Sequence, residues 1–389
     1  MKIAYATLYD VLNQASWPTK HQAGIYGSGY YLAKTLTEAS VFIDYLGPLK
    51  EKKSLITSLK FHIYHHLFGK KYYSWAEPLI LNDFATRISQ KLSQLSSDLI
   101  LCPINVIPIA NLECKQPIVL WTDTTLDLLI DYYPYLSNLC QETIINIRAM
   151  EQAALDKCKL IIYTSEWAAQ GAVKTYGIAP SKIKVIPWGA NIECDRNYND
   201  IYSLVKSRNP RTCKLLFMGV DWVRKGGSVA FGVAKELNKI GLNTELTIVG
   251  CEPLIDEPIP SFVKSLGYVD KSTKEGSEKI NGLFAESHFL ILPTVADCSP
   301  FVIAEANSFG VPCLATNVGG IPTMIRDNFN GKVFSNDANI YDYCNYIVNL
   351  FSNHEQNEKL ALSSFNEYQT RLNWTVAAQT AKKLFTHLL

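Results

Sequence analysis

The stretch "HFLILPTVADCSPFVIAEANSFG", His288–Gly310, carries the signature that decides the fold. "HFLILPT" is a short apolar run and reads as a buried strand, whereas "FVIAEANSFG" reads as a helix. Ser299 followed by Pro300 is a helix-start signal, with the serine expected as N-cap and the proline at the first helical position. Gly310 is expected to close the helix as its C-terminal cap. The helix would then begin at the carboxyl end of the strand, where free backbone N–H groups and the helix dipole favour an anion. Two acids stand there: Asp297 just ahead of the helix and Glu305 inside it, flanked by apolar residues. Glu305 admits two readings, a core acid satisfied by an Arg or Lys, or an acid facing a ligand. Its side chain leans back toward the helix start, so a ligand whose phosphate rested there would meet Asp297 on one side and Glu305 on the other.

The same alternation of apolar run and helix extends outward in both directions. Strand candidates in the first half are "KIAYATLY", "VFIDYL", "LILCPI", "PIVLWT", "LIIYTS" and "IKVIPWG". In the second half they are "CKLLFMG", "NTELTIVG", "VKSLGYV", "HFLILPT" and "PCLATN". Such alternation specifies α/β architecture with parallel sheets. The expected fold is two doubly wound, Rossmann-like domains facing each other across a cleft, with ligands at the carboxyl ends of the strands. Glu193–Cys213 is polar and pattern-poor and is taken as the boundary, giving an N-terminal domain over 1–200 and a C-terminal domain over 201–368. Residues 369–389 are expected to form a helix that packs back on the N-terminal domain.

The 389 residues, 48% hydrophobic and 19% charged, are globular in composition and long enough for two domains. With a net charge of +1, no global electrostatic argument favours nucleic acid or membrane as a partner, and nucleic acid is not expected. "MKIAYATLY" runs directly into a strand, with no signal peptide visible and no apolar run of ~18 residues, so a cytoplasmic protein is expected. Its 10 cysteines show no zinc spacing and no CxxC, and read as reduced core residues.

A second candidate site element is "LLFMGVDWVRKGGSVAFGVAKEL", Leu215–Leu237, a strand, a glycine turn and a helix. Arg224 and Lys225 precede Gly226 and Gly227, and a planar donor fork beside a compact ammonium suits a diphosphate. A surface Arg-Lys pair is the plain alternative. "TNVGGIPTMI" adds a strand, Gly319-Gly320 and a helix, where glycine lets backbone approach a ligand closely.

These motifs together resemble the nucleotide-binding domain of retaining glycosyltransferases of family 4, which have the GT-B fold. The family shows an acid, seven residues and Glu, then G-x-P and a GG-I-P turn; here these are Asp297, Glu305, "GVP" at 310–312 and "GGIP" at 319–322. The family's glycine and Lys-Gly loop matches Gly219 through Gly227, and its hinge strand matches "IPWGAN" at 186–191. The resemblance implies that Glu305 hydrogen-bonds the ribose of a sugar nucleotide and Asp297 holds hydroxyls of the donor sugar. It places backbone N–H groups around Ser299, Phe301 and Val302 on the sugar and diphosphate, and Lys225 with Arg224 on the departing diphosphate. Gly219 and Gly226 shape that loop, and the base would rest near Leu266–Asp270, at Tyr268. Three departures leave the donor open: Asp297 stands for the usual Glu, Val220 for an Arg that Arg224 is expected to replace, and Thr323 for a Glu.

In the first half, Asp123 in "WTDTTLDLL" lies where the resemblance implies a residue facing the donor sugar, and it reads equally as an N-cap. Asp127 reads as a helix acid. "AGIYGSGYYLAKTL" reads as a glycine loop (Gly24, Gly27, Gly29) ahead of a helix; the resemblance implies that it lines the cleft near acceptor and diphosphate. Glu151 and Ser165–Trp167 are expected to hold structure at the cleft edge, without chemistry. Residues 49–73 hold six Lys and one Glu among Leu, Ile, Phe and Tyr, which suits either an anionic membrane surface or a solvated helix–loop. His62, His65 and His66 within it lack an acid or cysteine at ligand spacing.

The function expected is retaining transfer of a hexosyl group from a nucleoside diphosphate sugar, UDP-sugar favoured, to an acceptor such as a glycan, a lipid-linked saccharide or another small hydroxyl compound. No D-x-D is present, and neither a metal nor another cofactor is expected. The alternatives are a non-catalytic sugar-nucleotide-binding or partner subunit and a sugar-nucleotide epimerase of the same fold. A nicotinamide oxidoreductase fails for want of G-x-G-x-x-G with its following acid.

Overall fold

In the computed structural model, which describes residues 1–17, 23–52 and 54–389, the apolar runs pair in two separate sheets. The first holds β1 (Lys2–Tyr5), β2 (Phe42–Tyr45), β3 (Leu99–Pro103), β4 (Ile118–Thr122), β5 (Cys158–Tyr163) and β6 (Ile183–Val185), in the order β2-β1-β3-β4-β5-β6. The second holds β7 (Cys213–Met218), β8 (Thr244–Val249), β9 (Val263–Ser265), β10 (Phe289–Leu292), β11 (Cys313–Thr316) and β12 (Gly331–Phe334), in the order β12-β11-β10-β7-β8-β9. Pairing is parallel throughout both sheets. Parallel sheets are covered on both faces, which is why these strands are continuous apolar runs rather than alternating ones. Every residue of β3, β4, β10 and β11 is buried. The edge strand β12, "GKVF", was not among the expected strands.

In the second sheet the chain builds outward from β7 through β8 to β9, then returns to the other side of β7 with β10 and continues to β11 and β12. The reversal between β7 and β10 is a topological switch point, where the loops leaving neighbouring strands diverge and leave a crevice at their carboxyl ends.

The chain divides into two compact units, Met1–Pro187 with Ala377–Leu389, and Trp188–Val376. The expected boundary at residue 200 falls inside the helix Tyr198–Ser207, which belongs to the second unit. That helix has a reciprocal capping box between Asn197 and Asp200 and buries Ile201 in one cluster with Ile303, Phe309 and Phe365. Its polar look arises because Ile201 alone is fully buried, with Leu204 and Val205 packed half-buried beside it and polar residues elsewhere. At the other end, the helix Trp374–Thr386 is divided, belonging to the second unit through Val376 and to the first from Ala377.

Gly24, Gly27 and Gly29 correct a second expectation. They lie inside the helix Ala23–Glu38, not in a loop ahead of it. Gly29 must be small because Tyr5 Oη donates to its carbonyl at 2.7 Å and a Cβ would stand 2.0 Å from Tyr9 Oη. Close packing of two tyrosines thus outweighs the poor helix propensity of glycine. Among the described residues, no helix is long and apolar enough to cross a membrane, and no cluster of His, Cys, Asp and Glu could hold a metal ion.

Candidate functional site

The loop after β7 is built as a tight turn. Asp221 accepts from the backbone N–H of Arg224 through its side chain (3.0 Å) and from that of Lys225 through its carbonyl (3.0 Å). Gly226 follows with φ +78°, and a Cβ there would lie 1.9 Å from the carbonyl oxygen of Pro293. The turn therefore packs directly on the exit of β10, and only glycine meets both demands. Gly219 serves the same construction: a Cβ would stand 2.7 Å from Lys225 Cγ, so the lysine stem lies flat over the bare backbone.

This geometry removes the surface-pair reading of Arg224-Lys225. Lys225 is buried, and its Nζ donates to the carboxylate of Asp297, also buried. Arg224 Nη1 donates to the carbonyl of Ala296 at 2.8 Å and lies 3.9 Å from the same Asp297 oxygen. Burial pushes the Lys225 ammonium below the usual lysine range, Asp297 pulls it back, and Arg224 adds to the lowering. Such a desolvated cation, with a second cation beside it, is stabilised by added negative charge.

A second ion pair joins the helix after β10 to the loop after β9. Glu305 is buried and accepts from Lys271 Nζ at 2.5 Å. The reading of Glu305 as a core acid with a lysine partner is thus the contact the structure shows, at the carboxyl edge of the sheet. Lys271 was missed by the sequence reading, although it directly follows the "LGYVD" segment expected to hold a base. Tyr268, in that segment, is partly exposed, and burial followed by the nearby Asp270 raises its hydroxyl pKa.

The helix itself spans Phe301–Asn307, and Pro300 rather than the expected Ser299 is its N-cap residue. Pro300 is extended (φ −69°, ψ 114°), and its carbonyl accepts from Ile303 N–H at 3.1 Å to close the first turn. The N–H groups of Phe301 and Val302 have no acceptor within the helix. The Phe301 ring stacks on Trp188, centroids 5.3 Å apart and planes 5° from parallel. At the far end Val311 N–H bonds the Ala306 carbonyl and Gly310 N–H that of Asn307, a Schellman closure with Gly310 at φ +62°. The Gly319-Gly320 turn after β11 reaches the same place, Gly320 N–H donating to the carbonyl of Asp297 at 3.3 Å. Loops after β7, β9, β10 and β11 therefore bring Gly219, Arg224, Lys225, Gly226, Tyr268, Asp297, Ser299, Phe301, Val302 and Glu305 to one edge of the second sheet.

Asp123 and Gly27 belong to the first unit. Asp123 follows β4 and its carbonyl accepts from Thr164 Oγ1 at 3.4 Å. It is not the N-cap: the helix Leu126–Leu129 is capped by Thr125, whose side chain accepts from Leu128 N–H. Glu151 holds the same turn, accepting from the N–H of Leu126 (2.7 Å) and Asp127 (3.1 Å) and from Tyr176 Oη (2.6 Å). Burial pushes its carboxyl up to about 7 against those hydrogen bonds. Asp127 pairs with Arg148 at 2.6 Å. Gly27 is buried in the helix Ala23–Glu38.

Residues 212–353 match the family described as Glycosyl transferases group 1. A D-inositol 3-phosphate glycosyltransferase of Paenarthrobacter aurescens (strain TC1) is 24% identical over 188 residues, 46% of each chain. The chain spans about half the length of the curated relatives it matches. Among solved structures, sucrose-phosphate synthase from Thermosynechococcus elongatus superposes with a TM-score of 0.66 at 15% identity, over 100% of this chain and 98% of that one. Anabaena HepE in complex with UDP superposes with a TM-score of 0.65 at 15% identity, over 100% of both chains. The two parallel six-stranded sheets with flanking helices are those of the GT-B fold. The Lys225–Asp297 and Lys271–Glu305 pairs thus both lie within the stretch that is similar to the glycosyl transferases group 1 family.

Proposed function

We propose that this protein is a retaining glycosyltransferase that takes a hexosyl group from a nucleoside diphosphate sugar, UDP-sugar favoured. The observation that carries this reading is the buried Lys225–Asp297 pair with Arg224 beside it, at the switch point between β7 and β10. In the reaction the bond from the anomeric carbon to the diphosphate breaks, and a bond to the acceptor oxygen forms on the same face. The acceptor's proton passes to the departing phosphate oxygen. Negative charge builds on the diphosphate, and Lys225 and Arg224 are the groups that stabilise it. The N–H groups of Phe301 and Val302, with Ser299, add donors for the diphosphate and sugar, and Gly219 and Gly226 keep the backbone close. Asp297 takes sugar hydroxyls, Glu305 the ribose hydroxyls, and Tyr268 lies beside the base. Asp123 and Gly27 hold their roles in this reading through the family likeness alone. No metal is required, because the two cations supply the charge.

UDP is favoured because HepE, of the same fold, is described in complex with UDP. The acceptor is a hydroxyl compound such as a glycan or lipid-linked saccharide. The test is UDP release from a panel of UDP-sugars, with and without EDTA, while proton NMR follows the sugar first formed. The reading predicts EDTA-insensitive release, a first product with the donor's own anomeric configuration, and loss by orders of magnitude in Lys225→Ala and Glu305→Ala. Near-normal rates in both variants would refute the site. An isomerised donor with no transfer would mark an epimerase, and donor binding without turnover a binding subunit.

A further inference from the structure

We infer that the helical stretch 55–68 of the first unit is a docking surface for an anionic lipid bilayer. An ordinary surface helix turns its apolar side chains inward and its polar ones to water. This one does the reverse. On its inner side Thr57 is buried, and Lys60 Nζ donates to Glu77 at 2.9 Å and to Glu142 at 2.7 Å. Tyr64 donates to Glu142 (3.0 Å) and stacks on Tyr72, which donates to Glu77 (2.8 Å). A polar cluster thus pins the helix Leu55–His62 and the wide π turn Ile63–Leu67 that continues it. The outer side carries the hydrophobes. Leu55 is 91% and Leu67 74% exposed, and Ile56, Leu59 and Phe68 are each more than half exposed. At ~100° per residue, Leu55, Ile56 and Leu59 fall within an arc of about 100°.

Water is a poor partner for such a face, and the charges beside it indicate the better one. Lys50, Lys70 and Lys71 are exposed at the two ends of the stretch, and no carboxylate among the described residues pairs with them. Lys60 is spent inward, and Lys52 pairs with Asp83. Lys53, also part of the basic run, lies outside the described residues. Lys70 donates to Asn138 and Lys71 to the Pro134 carbonyl, so their charge is held in place but not neutralised. Exposed leucines flanked by such lysines complement a surface that is apolar beneath and negative on top, the interface of a bilayer with anionic headgroups. The inference rests on this helix alone and stands whether or not the chain transfers sugar.

The experiment is flotation of the full chain with phosphatidylcholine vesicles, with and without phosphatidylglycerol, across a salt series. Wild type is expected to float with the anionic vesicles and to be released by salt. Lys50→Gln/Lys70→Gln/Lys71→Gln should lower partitioning about 100-fold at low salt, at roughly five-fold per lysine. Leu55→Gln/Ile56→Gln/Leu59→Gln should lower it by about ten-fold or more per side chain. Thermal midpoints of both variants should match wild type, since the changed residues are exposed. Absence of wild-type binding to anionic vesicles at low salt would overturn the inference, as would undiminished binding by both variants. Sedimentation velocity adds a third arm: a dimer that Leu55→Gln/Ile56→Gln/Leu59→Gln dissociates, without vesicle binding, would assign the face to a second copy and overturn it too.

Discussion

Asp297→Asn, Lys225→Met and the two together form a cycle that separates what the buried pair does for the fold from what it does for the chemistry. Both side chains are buried, and their charges are in direct contact. Removing one member of such a pair strands the other, at about 3–5 kcal/mol. The two single variants should not be equal. In Asp297→Asn the lysine loses its main stabilising charge and keeps the repulsion of Arg224, so its pKa, already lowered by burial, falls further. In Lys225→Met the carboxylate still has Arg224 at 3.9 Å, so the cost belongs at the lower end, about 3 kcal/mol. Methionine also follows the track of the lysine stem over Gly219. The double variant leaves no stranded charge and should be more stable than Asp297→Asn, with a coupling of about 2 kcal/mol or more. For a unit of this size, about 3–5 kcal/mol corresponds to a fall in Tm of roughly 6–20 °C. Donor turnover should drop about 10²–10³-fold in Lys225→Met and in the double variant, because restored stability does not restore the missing cation. It should also fall in Asp297→Asn, which loses the carboxylate that takes the sugar hydroxyls. Urea and thermal unfolding without donor, beside UDP release, read both quantities. Single variants within about 0.5 kcal/mol of wild type, or a strictly additive double, would refute the reasoning.

Gly226→Ala should disable the Lys225 loop, since φ +78° and a 1.9 Å approach to Pro293 O force the turn off β10; donor-induced stabilisation should vanish while the circular dichroism spectrum persists. Glu151→Gln replaces one acceptor oxygen by an NH2 group facing a backbone N–H and should cost about 1–3 kcal/mol in urea unfolding; an unchanged midpoint would show that the carboxylate does not hold the Leu126–Asp127 turn. His288 is buried, accepts from Lys214 N–H at 3.0 Å, and has its pKa driven down to about 3, by burial first and Arg208 next. Its folded pKa lies below the unfolded one, so its contribution is complete above about pH 6.5 and is lost as pH falls toward 3, by at most ~1.4 kcal/mol per pH unit. Unfolding at pH 7.5 and pH 5 should show that decline, and His288→Asn should flatten it.

Much of the architecture was legible because parallel strands, buried on both faces, must be apolar without interruption. β12 escaped because "GKVF" is short and lies at an edge, where Lys332 and Val333 are only half-buried. The helix Tyr198–Ser207 escaped because its apolar set is only Ile201, Leu204 and Val205, a single i, i+3, i+4 step among polar residues, with Ile201 alone fully buried. The glycines of Ala23–Glu38 pointed to a loop, and only the positions of Tyr5 and Tyr9 explain why a helix needs Gly29. At the site, Asp297 and Glu305 were legible because charge inside apolar sequence demands an explanation. Lys225 was legible through its glycines. Lys271 was not, since a lysine in "DKSTKEGSEK" looks like any solvated cation until the fold sets it against Glu305.

Binding of a nucleoside diphosphate sugar at the β7–β11 edge is read out by a thermal-shift titration against UDP-, GDP-, ADP- and dTDP-sugars. A ligand held only by the native state at about 100 times its Kd adds roughly 2.7 kcal/mol, a rise of about 5–10 °C for a unit of this size. That rise is expected for one nucleotide class, with UDP favoured, in wild type but not in Glu305→Ala. No rise with any of the four, or an equal rise in Glu305→Ala, would contradict binding at this edge.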